Sequence, residues 1–212
     1  MSIGDLLVSI FNSIGGLVCH QLPGRTLRIG GGLLFVCARD TGFYIGFLIG
    51  LSLLHKRRRA PCGPRNLYFT LGLMLPMIID GATQAVGLRT SNNSLRLLTG
   101  LFFGTALSPF LLYLLSVIPT ARRTPIIGRI VPREVRMEDR VSWLPVRVLV
   151  LGAMVDVGIF LLVRSLVGTA NRIFFWGLSF TIMASLVIVI FVFPAMLAVF
   201  LIRFAREAVR GR

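Results

Sequence analysis

The sequence predicts an all-α membrane protein: a polytopic helical bundle of about five transmembrane helices plus an N-terminal amphipathic helix. Three observations lead there. Hydrophobic residues make up 55% of the 212 and charged ones only 15%, with a mean hydropathy of +0.84, which is more apolar surface than a soluble domain of this size can bury. Several apolar runs reach about 20 residues, enough to cross a bilayer as a helix. The charge collects between those runs: the net charge is +15, and 22 of the 23 basic residues are arginine.

The chain reads as a single membrane domain, 1–212, in four parts. Residues 1–33 hold an outer amphipathic helix and a Gly-rich loop. Ile3, Leu6, Leu7, Ile10, Ile14, Leu17 and Val18 recur at helical spacing with Asp5, Ser9, Asn12 and Ser13 between them, the pattern of a helix lying in the membrane interface. A short sixth span is the alternative. The start of the chain has no basic n-region and no small-residue cleavage site, so no secretory signal is expected.

Residues 34–118 hold three spans, from about Leu34 to Leu54, Leu67 to Leu88 and Leu97 to Ile118. Gly42, Gly46 and Gly50 on the first, and Gly100 and Gly104 on the third, recur every four residues and let helix backbones approach closely. Residues 119–147 form a basic segment interleaved with Ile126, Ile127, Ile130, Val131 and Trp143, which suits attachment to a membrane surface. Residues 148–212 hold two spans, Val148 to Val167 and Phe174 to Ile202, and a basic tail. The last span exceeds a bilayer, so it tilts, bends at Pro194 or protrudes.

Sixteen basic residues, Lys56 to Arg65, Arg122 to Arg147 and Arg203 to Arg212, fall on one side of these spans, and seven on the other. The positive-inside rule places the sixteen, and the C-terminus, in the cytoplasm of a multi-pass cell-membrane protein. Anionic lipid headgroups on that face account for the basic charge, and nucleic acid is not expected as a partner. Four polar signatures then lie together on the extracytoplasmic side: Cys19-His20-Gln21, Cys37-Ala38-Arg39-Asp40-Thr41-Gly42, Asp80-Gly81-Ala82-Thr83-Gln84, and Ser91 through Asn93 to Arg96.

Cys19, His20, Cys37 and Asp40 offer a four-ligand set for zinc or another transition metal. A Cys19–Cys37 disulfide and two free thiols are equal alternatives. Cys62 and His55 have no evident partners. Asp80 sits inside the second span with Gln84 one turn on, and a charge there needs a partner. Arg39 and Arg96 are the candidates. The polar pocket would gather Cys19, His20, Gln21, Arg39, Asp80, Thr83, Gln84, Asn93 and Arg96, either as a structural ion pair with bonded amides or as a site for a ligand headgroup. Asp156, in the fourth span, is an isolated carboxylate that suits a proton site or a bond to a neighbouring helix. G-x-x-x-x-G-K-[ST], H-E-x-x-H and G-x-S-x-G are absent, which removes support for nucleotide hydrolysis, zinc proteolysis and a serine triad.

In this order the signatures resemble a family of small prokaryotic membrane proteins catalogued as a domain of unknown function, DUF2085. Its pattern is C-H-Q, then C-x-R-C-T-G, D-G-x-T-Q and S-x-N-x-x-R-x-x-T-G. The resemblance covers about the first half of the chain. It implies no activity. This chain departs from it at Asp40, where the family pattern has a cysteine; aspartate can ligate a metal but cannot form a disulfide.

The leading functional expectation is a non-catalytic integral membrane protein, an accessory or stabilising subunit of a larger membrane complex, with other membrane subunits as partners. The degenerate C-x-R-D motif, the lack of a complete catalytic set and the glycine faces favour it. The alternative is a small membrane enzyme or lipid-headgroup-binding protein with an outward-facing polar site that could hold a metal.

Overall fold

The protein, described here from a computed structural model, is mostly helical. The structure describes residues 3–56, 60–61, 64–117, 142–143 and 146–210. Residues 119–141 and 144–145 of the expected basic surface segment, Cys62 and the His55 side chain lie outside the described residues. Among the described residues six helices follow in order: α1 Ile3–Gly16, α2 Ala38–Lys56, α3 Pro64–Ala85, α4 Asn93–Val117, α5 Val146–Leu166 and α6 Arg172–Arg210.

The fold is not purely helical. The Gly-rich loop is an antiparallel hairpin of β1, Thr26–Ile29, and β2, Gly32–Cys37. Ile29 pairs with Gly32, so Gly30 and Gly31 make a two-residue turn. Both have positive φ, 62° and 80°, as the turn that matches strand twist requires. Leu34 to Cys37 therefore belong to β2, and the first long helix starts at Ala38, four residues later than the apolar run suggested. A second pairing joins β3, Ala60–Pro61, to β4, Ser142–Trp143.

The centre of the bundle is the α2–α4 pair. A Cβ on Gly42 would lie on the Leu97 carbonyl oxygen, and one on Gly46 on that of Leu101. Conversely, a Cβ on Gly100 would meet the Arg39 carbonyl and one on Gly104 that of Phe43. The two sets advance together along both helices, so α2 and α4 run parallel, and α3 is the return stroke between them. Hydroxyls fasten the seam: Thr105 Oγ1 donates to Gly46 O (3.0 Å) and Ser108 Oγ to Phe47 O (2.8 Å). From α6, Ser185 Oγ donates to Tyr44 O (2.7 Å). Hydrogen bonds of this kind join helices where water is absent.

Helices α3, α5 and α6 turn large apolar side chains outward, among them Tyr68, Leu75, Ile79, Met154, Leu161, Phe180 and Phe191, all exposed. Among the described residues, two helices are long and apolar enough to cross a membrane: Val146–Leu166 and Arg172–Phe191, each with mean hydropathy 2.4. The described parts of α2, α3 and α4 do not reach that mark, against the five spans expected. Their ends carry the polar signatures.

Helix α1 has 14 residues, about 21 Å, well short of the roughly 30 Å of hydrocarbon a span must cross. It packs Phe11 onto Phe35 of the hairpin and onto Trp176 and Phe180 of α6. The hairpin tip is tied to the α5–α6 turn by Gly30 N to Thr169 O (2.7 Å) and Gly168 N to Arg28 O (2.9 Å). Helix α6 runs through Pro194 for 39 residues, about 58 Å, nearly twice the hydrocarbon thickness.

Candidate functional site

The N-termini of α2 and α4, the C-termini of α1 and α3 and the end of the hairpin meet at one end of the bundle. Here the chain turns from strand to helix at Cys37–Ala38. The loop after α1 is held in place by Cys19 N donating to Gly15 O (2.9 Å) and by Gln21. Gln21 adopts a left-handed φ of 50° and sends Nε2 to Asn12 O (2.7 Å) and Phe35 O (2.8 Å). Its carboxamide pins α1 to β2.

This brings Cys19 against the start of α2. Cys19 Sγ accepts the Cys37 backbone N–H at 3.2 Å, and Cys37 Sγ lies 3.1 Å from Asp40 Oδ2. The ligand atoms of Cys19, Cys37 and Asp40 all fall within 4.8 Å of one another, and all three residues are half-buried. The two cysteines are free thiols. The Cys37 S–H has one proton and two acceptors in reach. Its hydrogen bond to Cys19 holds the Cys19 thiol below its ordinary value, while that bond, burial and the Asp40 charge push Cys37 up.

One residue further along α2, Arg39 reaches the other way. Its Nη2 donates to Asp80 Oδ2 of α3 and to Gln84 Oε1 (3.1 Å), so the carboxylate and the amide one turn apart share one guanidinium. Arg89, in the loop after α3, donates to Asp80 Oδ1. Asp80 is buried, its side chain 2% exposed, with Arg39 at 21% and Arg89 at 47%. Two cations thus face one anion. Arg89 was missed in the sequence, where it counted only as loop charge; its position nine residues after Asp80, across a helix end marked by Gly87, was the available signal.

On α4, Asn92 Oδ1 caps the helix by accepting from Leu95 N (2.7 Å). Arg96 is buried, at 6% exposure. Its Nη1 donates to Asn93 Oδ1 (2.9 Å), and Asn93 Nδ2 donates to Gly24 O (3.3 Å). Among the described residues no carboxylate pairs with Arg96. Its Nε and that of Arg39 are buried without a partner, and its charged neighbours are the cations Arg25 and Arg39 together with the Asp80 carboxylate, which is not bonded to it. A cavity of about 450 Å³ opens beside Asn93, lined also by Arg28, Arg164, Thr26, Ser94, Leu27, Leu97 and Val167.

The expected pocket residues thus divide. Arg39, Asp80 and Gln84 form one network, Asn93 and Arg96 a second, and Cys19, Cys37 and Asp40 a third, with Gln21 as a brace. His20 is exposed and stands outside the thiol cluster, since adjacent side chains diverge. Thr83 turns its hydroxyl back to Ile79 O (2.7 Å) on its own helix. Asp156 is fully buried on α5, 2.8 Å from Thr105 Oγ1.

The family described as predicted membrane protein (DUF2085) matches residues 19–110, the stretch from the first thiol through most of α4. An uncharacterized protein of Methanothermobacter thermautotrophicus is 39% identical over 95 residues, 43% of this chain and 81% of that relative. The chain belongs to the DUF2085 family. A second such relative, an uncharacterized protein of Methanocaldococcus jannaschii, is 37% identical over 93 residues, 43% of this chain and 60% of its own length, so the chain spans about three-fifths of that protein. No solved structure matches. The DUF2085 segment contains all three polar networks, the hairpin and the glycine seam of α2 with α4.

Proposed function

We propose that this DUF2085 protein is a five-span membrane protein that binds an anionic, phosphate-bearing lipid headgroup at its polar end. Helices α2 to α6 are the spans, α1 lies in the extracytoplasmic interface, and the C-terminus is cytoplasmic. The outward apolar faces of α3, α5 and α6 support the embedding, and the basic loops support the orientation.

One observation carries the headgroup reading: Arg96 is buried with an unpartnered Nε and, among the described residues, no carboxylate bonded to it. Burying an unmatched guanidinium is costly, and an anion offsets that cost with charge-assisted bonds. The neighbouring cavity is lined by Asn93, to which Arg96 is bonded, rather than by Arg96 itself, and its walls are mixed in the way an amphiphile requires. Arg28, Arg164 and the first residues of α4 offer charge and helix-terminal N–H groups, and Leu27, Leu97 and Val167 offer an apolar wall. The role of accessory subunit loses one of its supports, because the glycine faces that would dock a partner are filled by α2 and α4 themselves.

The test is thermal unfolding of the detergent-purified chain with short-chain phosphatidylglycerol, phosphatidylcholine or inorganic phosphate. Phosphatidylglycerol is expected to raise Tm over phosphatidylcholine, with the gain lost in Arg28→Gln/Arg164→Gln and in Arg96→Gln. Equal shifts from the two lipids would exclude the reading. An equal shift from inorganic phosphate would make this a site for free phosphate rather than lipid.

A further inference from the structure

We infer that Cys19, Cys37 and Asp40 form a binding site for a thiophilic divalent metal ion of the zinc type, with its fourth coordination position open. The inference uses none of the arginines behind the headgroup reading, so either can fail alone.

The geometry is close to what such an ion needs. Tetrahedral zinc with bonds of about 2.3 Å to sulfur and 2.0–2.2 Å to oxygen sets its ligand atoms about 3.5–3.8 Å apart. The three atoms here lie within 4.8 Å of one another, and Cys37 Sγ and Asp40 Oδ2 are at 3.1 Å. Three different pieces of backbone supply the ligands: the loop after α1, the last residue of β2 and the first turn of α2. Each is independently held, the loop by Gln21 and Gly15, the strand by its hairpin and the turn by the α4 seam. Cys37 and Asp40 are three apart across the strand-to-helix junction, which presents both on one side of the first turn.

The donor set selects the ion. Two thiolates favour zinc or cobalt over magnesium and calcium, and one carboxylate keeps the site less soft than an all-thiolate one. On binding, the Cys37 S–H bond and any S–H on Cys19 break, two metal–sulfur bonds form, and the protons leave to solvent; no electron changes hands. The ion with its two thiolates and carboxylate carries one net negative charge. His20 is exposed and outside the cluster, and no other ligand joins it among the described residues, so the fourth position is left to water or an external ligand, as in zinc sites that keep an open place.

Cobalt titration of the full chain tests this, in detergent, reduced and stripped with chelator, on a Cys62→Ala background. One cobalt per chain and a thiolate-to-cobalt charge-transfer band, displaced by zinc, are expected. Cys19→Ser and Cys37→Ser should each abolish the band while circular dichroism shows the helices intact. Asp40→Asn should weaken binding by at least about tenfold, the loss that even an outer-shell partner causes. Asp40→Cys adds a thiolate and should tighten binding with a stronger band, a gain that misfolding cannot mimic. Arg96→Gln should leave the band unchanged. A band that survives both serine variants, no cobalt uptake by the reduced protein, or a Cys19–Cys37 disulfide in unreduced protein from native membranes would overturn the assignment.

Discussion

Arg39 and Asp80 lie 41 residues apart in sequence yet share a charge-assisted hydrogen bond across α2 and α3. Arg89 holds the other carboxylate oxygen from a far more exposed position. The two arginines should therefore differ in weight. Asp80→Asn leaves Arg39 largely buried without its anion and is expected to cost roughly 3 kcal/mol, toward the low end for breaking a buried pair. Arg89→Gln removes a half-exposed partner and should cost less than about 1 kcal/mol. Chemical or thermal unfolding in micelles measures both. Equal losses would mean that Asp80 is not held chiefly by Arg39.

The glycines provide their own control. Gly46→Ala and Gly104→Ala place a methyl on a carbonyl of the facing helix and should destabilise by about 3 kcal/mol or more, since the backbones must separate. Gly72→Ala and Gly158→Ala meet nothing within 4 Å. They should be neutral or stabilise by about 0.5–1 kcal/mol through helix propensity. A ranking by unfolding temperature checks this.

Thr105 Oγ1 touches both Gly46 O and Asp156 Oδ1, but a hydroxyl has one proton. Two accepting oxygens cannot both be served, whereas a carboxylic acid donating to Thr105 completes the chain. Asp156→Asn keeps a donor and an acceptor and should fold with near-normal stability. Asp156→Leu leaves Thr105 its bond to Gly46 O and removes only the one to the carboxyl, so it should cost about 0.5–1.5 kcal/mol, whereas Thr105→Val leaves the buried carboxyl without its partner and should cost about 1–3 kcal/mol. If Asp156→Asn proves as damaging as the leucine variant, the carboxyl has a role beyond this bond.

Orientation is open to reporter fusions. Alkaline phosphatase joined after Gly87 should be active, and the same enzyme joined after Arg212 inactive, with a cytoplasmic reporter giving the reverse pattern. Activity at both junctions would remove α4 to α6 as three crossings.

Much of the architecture was legible because apolar runs mark helices whatever their neighbours do. The hairpin was not, since Ile29 and Leu33 flank three glycines that read as a loop; the Gly30-Gly31 turn was the overlooked cue. Arg39 and Asp80 could be paired from sequence because a buried carboxylate demands a cation and few were near. That Arg96 would stand apart from that pair, or that Gln21 would brace the hairpin through a left-handed backbone, depends on tertiary placement that spacing does not encode. The glycines announced close packing, yet not that their partners lay within the same chain. Cys19, Cys37 and Asp40 were singled out together. His20 joined them only through adjacency in sequence, which places neighbouring side chains on diverging paths.

The parallel course of α2 and α4 has a consequence for biosynthesis. In the five-span arrangement proposed above, two helices that point the same way cannot meet until a third has crossed between them, so α2 would enter the bilayer with its glycine face bare as the chain emerges from the ribosome. Arg39 would then be a cation waiting at the surface for a carboxylate not yet synthesised. The arrival of α3 delivers Asp80, and only then can α4 slide along α2 and close the seam. Timing, as much as affinity, decides when the polar end comes into being.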